Sequence, residues 1–105
     1  MARELRWSPE AVEDIEAIAS YIERDSLWYA QVVVCKISAV AETIPDFPDI
    51  GRIVSEIGSP TIRERFVYSY RLIYRIEANS ILVAAVIHGS RLLEQFAQRI
   101  ESPEI

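Results

Sequence analysis

Apolar residues recur every three or four positions through the first half of the chain and mostly every second position through the latter half. Val12, Ile15, Ile18, Ala19 and Ile22 mark one side of a helix, with Glu13, Asp14, Glu16 and Glu23 on the other. Ser8-Pro9-Glu10 starts it: serine caps, proline suits the first helical position, and an early acid complements the helix dipole. Arg24-Asp25-Ser26 breaks this helix and caps a second, whose stripe is Leu27, Ala30, Val33, Val34, Ile37, Ala41 and Ile44. Pro45, Pro48 and Gly51 end it. So short a turn predicts an antiparallel helical hairpin.

Strand patterning flanks the hairpin. Arg3 to Trp7, with Leu5 and Trp7 on one face, reads as an edge strand, and Arg52 to Ile57 as a short strand closed by Gly58-Ser59-Pro60. Ile62 to Tyr68 sets Ile62, Glu64, Phe66 and Tyr68 against Arg63, Arg65 and Val67. Arg71 to Glu77 sets Leu72, Tyr74 and Ile76 against Arg71, Ile73, Arg75 and Glu77, and Ala78-Asn79 makes the next turn. Ile81 to Ile87 is apolar throughout, the mark of a strand covered on both faces. Leu92 to Ile100 predicts a last short helix. The order β-α-α-β-β-β-α is an α+β layout: an N-terminal strand, an antiparallel helical hairpin packed on a mostly antiparallel sheet of about four strands, and a short C-terminal helix. No repeat or linker interrupts it, so residues 1–105 are expected to form one domain.

Composition narrows the classes. Half of the residues are hydrophobic, enough for a core, yet no apolar run approaches the roughly 20 residues of a membrane span. The opening MARELRWSPE carries charges where a signal peptide needs an apolar stretch. A lone cysteine, Cys35, leaves no internal disulfide and no metal cluster, and it reads as a small buried hydrophobe. A reducing, cytoplasmic setting is expected. The net charge of −5 hides an asymmetry: residues 1–51 are net −6, residues 52–91 net +3 and the tail net −2. An anion site therefore belongs in the latter half, while non-specific nucleic-acid binding should be weak.

The candidate chemistry is basic and aromatic. Arg71 and Arg75 share one strand face, as do Arg63 and Arg65, and the pairing drawn above would gather all four on one sheet surface. Guanidinium matches phosphate with a fork of donors; the alternative is solvated sheet charge, some of it paired with Glu64 or Glu77. Neither Arg71 nor Arg91 falls at a core-facing position in this reading. His88 is the only histidine, at a strand end, and offers either acid–base chemistry or a structural imidazole. Phe66, Tyr68, Tyr70 and Tyr74 interleave with the arginines, as core or as stacking surfaces, with Tyr70 expected at an exposed turn. No Gly-rich phosphate loop, Ser-His-Asp set or paired-carboxylate motif is present. No cofactor is expected.

Four segments resemble, in order, the RelE/ParE superfamily of toxins from type II toxin–antitoxin systems of the plasmid-stabilisation kind: LRWSPEAVEDIEAIASYI, FPDIGR, IRERFVYSYRLIYRI and VIHGSRLL. The resemblance implies that family's fold, a cognate ParD-like antitoxin and toxicity. The ribonuclease branch uses several basic side chains and a tyrosine near the C-terminus. Here that tyrosine falls near Phe96, and Glu56 stands where that branch is usually basic. The HGSR exit, His88 to Arg91, looks more like the ParE branch, which poisons DNA gyrase.

The resemblance thus implies a gyrase inhibitor that is not a hydrolytic enzyme. The alternatives are a ribosome-dependent mRNA endonuclease, with Arg71 and Arg91 as its catalytic cations, or a degenerate non-toxic antitoxin-binding module. Target contacts are expected from Arg71, Arg91, Tyr70 and His88. Antitoxin contacts are expected from Arg63, Arg65 and the apolar strip of Ile15, Ile22 and Val34.

Overall fold

The computed structural model describes residues 2–91 and 97–101. Strand β1 (Glu4–Trp7) leads into helix α1 (Pro9–Glu23) and helix α2 (Leu27–Thr43), followed by a 3-10 turn, Pro48–Ile50. Strands β2 (Arg52–Ile53), β3 (Ile62–Val67), β4 (Tyr70–Ile76) and β5 (Ser80–His88) follow, and helix α3 (Ala97–Glu101) closes the order. Both long helices begin as their sequences dictate. The Ser8 Oγ accepts from the Ala11 N–H at 3.0 Å, and the Ser26 Oγ from the Tyr29 N–H at 3.0 Å.

The sheet has five strands, ordered β1-β5-β4-β3-β2, rather than about four. It is antiparallel except where the first strand, at one edge, lies parallel to β5. The fifth strand is the two-residue β2 at the other edge. It stops at Ile53 instead of running to Ile57, because Val54 to Gly58 folds back: the Ile57 and Gly58 N–H groups both donate to the Val54 carbonyl. Gly58 sits there at φ 76°, where a side chain is strained.

The helical hairpin covers one face of the sheet. Ala11, Val33, Ile37, Ala41 and Ile44 pack on Val67, Leu72, Tyr74, Ile81, Val83 and Val86. The opposite face holds a second core, where Val54, Ile62, Ile73, Ala84, Ala85 and Ile87 meet Ile100 of α3. β5 serves both cores and is buried from Ser80 to Ile87, as its unbroken apolar run predicts. The change of face happens at a bulge. Ile73 pairs with Ala85 but Tyr74 with Val83, so Ala84 is the extra residue and β5 shifts register by one.

Three expectations are corrected here. The four sheet arginines do not share a surface. Arg63 and Arg65 pair across the ladder with Tyr74 and Leu72 on the helix side, whereas Arg71 and Arg75 pair with Phe66 and Ile62 on the α3 side. Directly opposed residues project from the same face, so this register divides the arginines two and two. Cys35 is exposed, because it points outward from α2. Val12 and Leu27, predicted for the apolar stripes, are also exposed, and Ala11 takes the buried place on α1. Of the predicted helix Leu92 to Ile100, residues 92–96 and with them Phe96 lie outside the described residues, and the described helix is α3. No described helix is long and apolar enough to cross a membrane.

Candidate functional site

Arg71 is buried, and its guanidinium is occupied. Its Nε donates to Glu64 Oε1 at 2.6 Å, while Nη1 and Nη2 donate to the two oxygens of Glu56 at 3.1 and 3.3 Å. Glu64, only 2% exposed, also accepts from Arg52 Nε at 2.9 Å, and the Arg52 guanidinium lies 4.9 Å from the centroid of the Phe66 ring. Two arginines and two carboxylates thus form a chain with no net charge. Burial works against the Arg71 charge, but hydrogen bonds to Glu56 and Glu64 outweigh it and hold its pKa above the ordinary value. The same contact with Arg71, with smaller help from the Glu56 backbone, holds the Glu56 carboxyl below its usual range. The expected solvent-facing position of Arg71 is therefore overturned. β4 turns it inward beside Ile73, and the Val54–Gly58 turn brings Glu56 across it.

The other sheet arginines are bound to backbone or acids in the same way. Arg63 donates from Nε to the Pro60 carbonyl at 3.0 Å and from Nη1 to the Gly51 carbonyl at 2.9 Å. Arg75 grips Glu77 Oε2 at 2.8 Å and reaches the Ile100 carbonyl at 3.2 Å, which ties α3 to the sheet. Arg65 differs: its Nη1 is buried without a hydrogen-bond partner. Tyr74 pins the FPDIGR segment. Its hydroxyl donates to the Pro48 carbonyl at 2.6 Å and accepts the Gly51 N–H at 3.0 Å, and burial raises its pKa. A Cβ on Gly51 would lie 2.7 Å from both the Glu64 carbonyl and the Tyr74 hydroxyl, so only glycine fits.

The remaining candidates for target contact converge elsewhere. Tyr70, His88 and Arg91 line one hollow of about 720 Å³ between the helical turn and the far end of the sheet. Tyr21, Tyr29 and Tyr68 share its walls. Tyr70 and His88 are register partners, and burial, with Tyr21 and Tyr29 nearby, raises the Tyr70 pKa. His88 Nδ1 lies 2.7 Å from the Ser90 hydroxyl and accepts the Ser90 N–H at 3.1 Å, so Nε2 carries the proton of the neutral ring. Arg71, on the opposite face, does not join this group. The apolar strip divides as well: Ile15 and Val34 border a separate apolar groove of about 260 Å³ with Trp7 and Val12, whereas Ile22 faces the larger hollow.

Two features escaped sequence reading. Asp14, one of several acids on α1, accepts the Val86 N–H at 3.0 Å and the Arg99 guanidinium at 2.8 Å. It closes the edge of β5 beyond Val83, where the β1 pairing ends. Nothing in the sequence separates it from Glu13 or Glu16. The exposed rings of Tyr21 on α1 and of Trp28 and Tyr29 on α2 were also missed, although for the latter two α2 carries only Lys36 and Glu42 as charges, a signal that its outer side is apolar. Among the described residues, no group of His, Cys, Asp and Glu is placed to hold a metal ion.

A family model described as the ParE toxin of the type II toxin–antitoxin system parDE matches residues 5–93. No curated protein matches the chain significantly. Among solved structures, the chromosomal ParDE system from P. aeruginosa superposes with a TM-score of 0.70 at 17% identity, over 83% of this chain and 96% of that one. A mutant of E. coli toxin RelE in the free state gives 0.68 at 16%, over 95% of each chain. The YoeB–YefM complex from Staphylococcus aureus gives 0.55 at 20%, over 84% of this chain and 98% of that one.

Proposed function

The chain belongs to the ParE toxin family of type II toxin–antitoxin systems, and we propose that it inhibits growth by poisoning DNA gyrase and is neutralised by a cognate ParD-like antitoxin. The observation that carries the choice of target is the engagement of Arg71 by Glu56 and Glu64. Cleaving RNA by attack of a 2′-hydroxyl needs unpaired cations converging on the phosphorane charge, since electrostatic stabilisation is usually the largest catalytic contribution. Here the arginine that such chemistry would rely on is neutralised, and Arg63 and Arg75 are committed to backbone carbonyls and Glu77. Inhibition through protein contact needs no such cluster.

In this reading Tyr70, His88 and Arg91 meet the target from their common hollow. Arg71 acts indirectly, by holding β3, β4 and the Val54–Gly58 turn together. The antitoxin takes the apolar groove of Ile15 and Val34 and extends toward Ile22, with Arg65 as a further contact. Arg63 lies on the same sheet face.

The test is a pair of assays on purified toxin: DNA supercoiling by gyrase, and messenger RNA integrity in a translating extract. Loss of supercoiling with intact RNA is the expected result. RNA cleavage that depends on the ribosome would overturn the choice of gyrase, and absence of both effects would leave a non-toxic antitoxin-binding module. Co-purification with the product of the neighbouring gene tests the antitoxin.

A further inference from the structure

The two-residue loop between β3 and β4 completes the rim of the large hollow. Val67 and Tyr70 are the last ladder pair, so Tyr68 and Ser69 make the turn. Tyr68 has φ 54°, and it is the only non-glycine residue at positive φ among those described. Glycine, asparagine or aspartate suit that position in a two-residue loop, and a bulky ring there strains the backbone. The core gains nothing in return. The Tyr68 ring is 54% exposed and belongs to neither core cluster. It borders the large hollow beside Tyr70, His88 and Arg91, and also a shallower one of about 470 Å³ over α2. Trp28, 71% exposed, lines the latter, so the loop and α2 form an aromatic end. Strain held at a side chain that the core does not use points to a functional demand on that side chain.

The loop is latched to the other half of the same rim. The Gly89 N–H donates to the Ser69 carbonyl at 2.7 Å, which carries the β4–β5 pairing one rung past Tyr70 and His88 into the loop. A Cβ on Gly89 would lie 3.2 Å from that oxygen, closer than ordinary contact, so a larger residue would push the carbonyl away. From there the chain turns back on itself. The Arg91 N–H donates to the His88 carbonyl at 2.9 Å, and the Ser90 N–H to His88 Nδ1 at 3.1 Å. One line of hydrogen bonds therefore joins the strained Tyr68–Ser69 turn to the histidine, and such surrounding bonds are what keep a strained conformation in place.

We infer that Tyr68 is a further target-contact residue of this toxin, and that Gly89 is a positioning residue, which through the Ser69 carbonyl keeps the Tyr68 ring and the His88 imidazole in one arrangement. The inference rests on the reading that the large hollow meets gyrase. A tyrosine suits the part. Its ring offers broad apolar area and one hydroxyl, and it loses little rotamer freedom on binding, which is why tyrosine is frequent among residues that dominate interface energy. The strained turn then works for binding, because it presents the ring already ordered.

Gyrase supercoiling, titrated with purified toxin, is the readout, with melting temperature measured beside it. Tyr68→Gly should melt no lower than the parent, since it relieves strain, yet about tenfold more protein should be needed for equal inhibition. Tyr68→Phe, which keeps the apolar ring, should retain most of the inhibition. Gly89→Ala leaves every contact side chain in place. It should shift the His88 ring signals in NMR spectra and weaken inhibition several-fold, with melting close to that of the parent. A parent that leaves supercoiling untouched would sink the gyrase reading and this inference with it. A parent that inhibits, beside a Tyr68→Gly variant that inhibits equally, would sink the inference alone. So would a Tyr68→Gly variant that melts well below the parent, because the ring is then structural, or a Gly89→Ala variant with unmoved His88 signals and full inhibition.

Discussion

Tyr70 and His88 meet edge to face across the last rung between β4 and β5, with ring centroids 5.6 Å apart and planes at 83°. The contact fixes the imidazole at the rim of the large hollow and holds the phenol in its wall. Two residues far apart in sequence thereby form one surface.

Replacing His88 and Arg91 by alanine should leave the fold intact. Both are exposed, and ordinary surface substitutions shift stability by about 0.5 kcal/mol. Growth inhibition should nonetheless fall sharply. Melting curves and a growth assay on induced cells check both halves, and a stable, fully toxic double variant would remove the hollow from the mechanism.

Arg71→Ala should destabilise the fold rather than merely silence it. Removing the guanidinium leaves Glu64 buried with only the exposed Arg52 beside it, and breaking a buried ion pair costs about 3–5 kcal/mol. Arg71→Met combined with Glu64→Leu should recover much of the loss, because no buried charge then remains. Urea denaturation of the single and double variants measures the difference.

Acid should weaken the fold in a definite window. The Arg71 hydrogen bond lowers the Glu56 pKa. For Glu77, burial pushes the pKa up, but hydrogen bonds from Arg75 and Ser80 prevail and lower it. A depressed folded pKa contributes stability that is present above the unfolded value, near 4.5, and lost as pH falls through the folded value. Melting temperature should be flat from neutral pH down to about 5 and fall below about 4.5. Glu56→Gln should shrink the fall.

Tyr74→Phe should cost about 1–2 kcal/mol, since the buried Gly51 N–H and the Pro48 carbonyl lose their partner together. Gly51→Ala should cost more, because its Cβ meets backbone and not a movable side-chain end alone. Burial raises the Tyr74 pKa, so its contribution is present below the unfolded value near 10 and lost as pH climbs past it. Alkaline melting of Tyr74→Phe should accordingly be flatter than that of the parent.

Asp14→Ala should destabilise by about 1–3 kcal/mol, through an orphaned Val86 N–H and a lost partner for Arg99. Asp14→Asn keeps an acceptor and should fall between. Hydrogen exchange at Val86 separates a local opening of the β5 edge from global unfolding.

Periodicity carried most of the architecture. The helical stripes, the Ser8 and Ser26 caps and the double-sided burial of β5 all follow from local spacing, because each depends on neighbours within a turn or a strand. What spacing could not supply was register. Opposite Leu72 and Tyr74, Arg65 and Arg63 turn toward the helices, while Arg71 turns toward Glu64 and Glu56. That outcome depends on pairing across the hairpin and on a turn that folds back at Val54. The aromatic end was hidden for a related reason: Trp28 and Tyr68 are distant in sequence, and only the packing of α2 beside β3 brings their rings to one hollow.

The segment Ile81 to Ile87 has no charge, no proline and strong strand propensity, the signature of a sequence that stacks with copies of itself. In the folded chain it is shielded by β4 on one side and, on the other, by β1 up to Val83 and Asp14 beyond. β1 comes from the opposite end of the chain, so that side closes only by a contact spanning about three-quarters of the sequence, and such distant pairings form slowly. Until the first strand docks, the most aggregation-prone stretch is an open template, and a chain truncated before Ser8 should precipitate even though every residue of its large hollow is present.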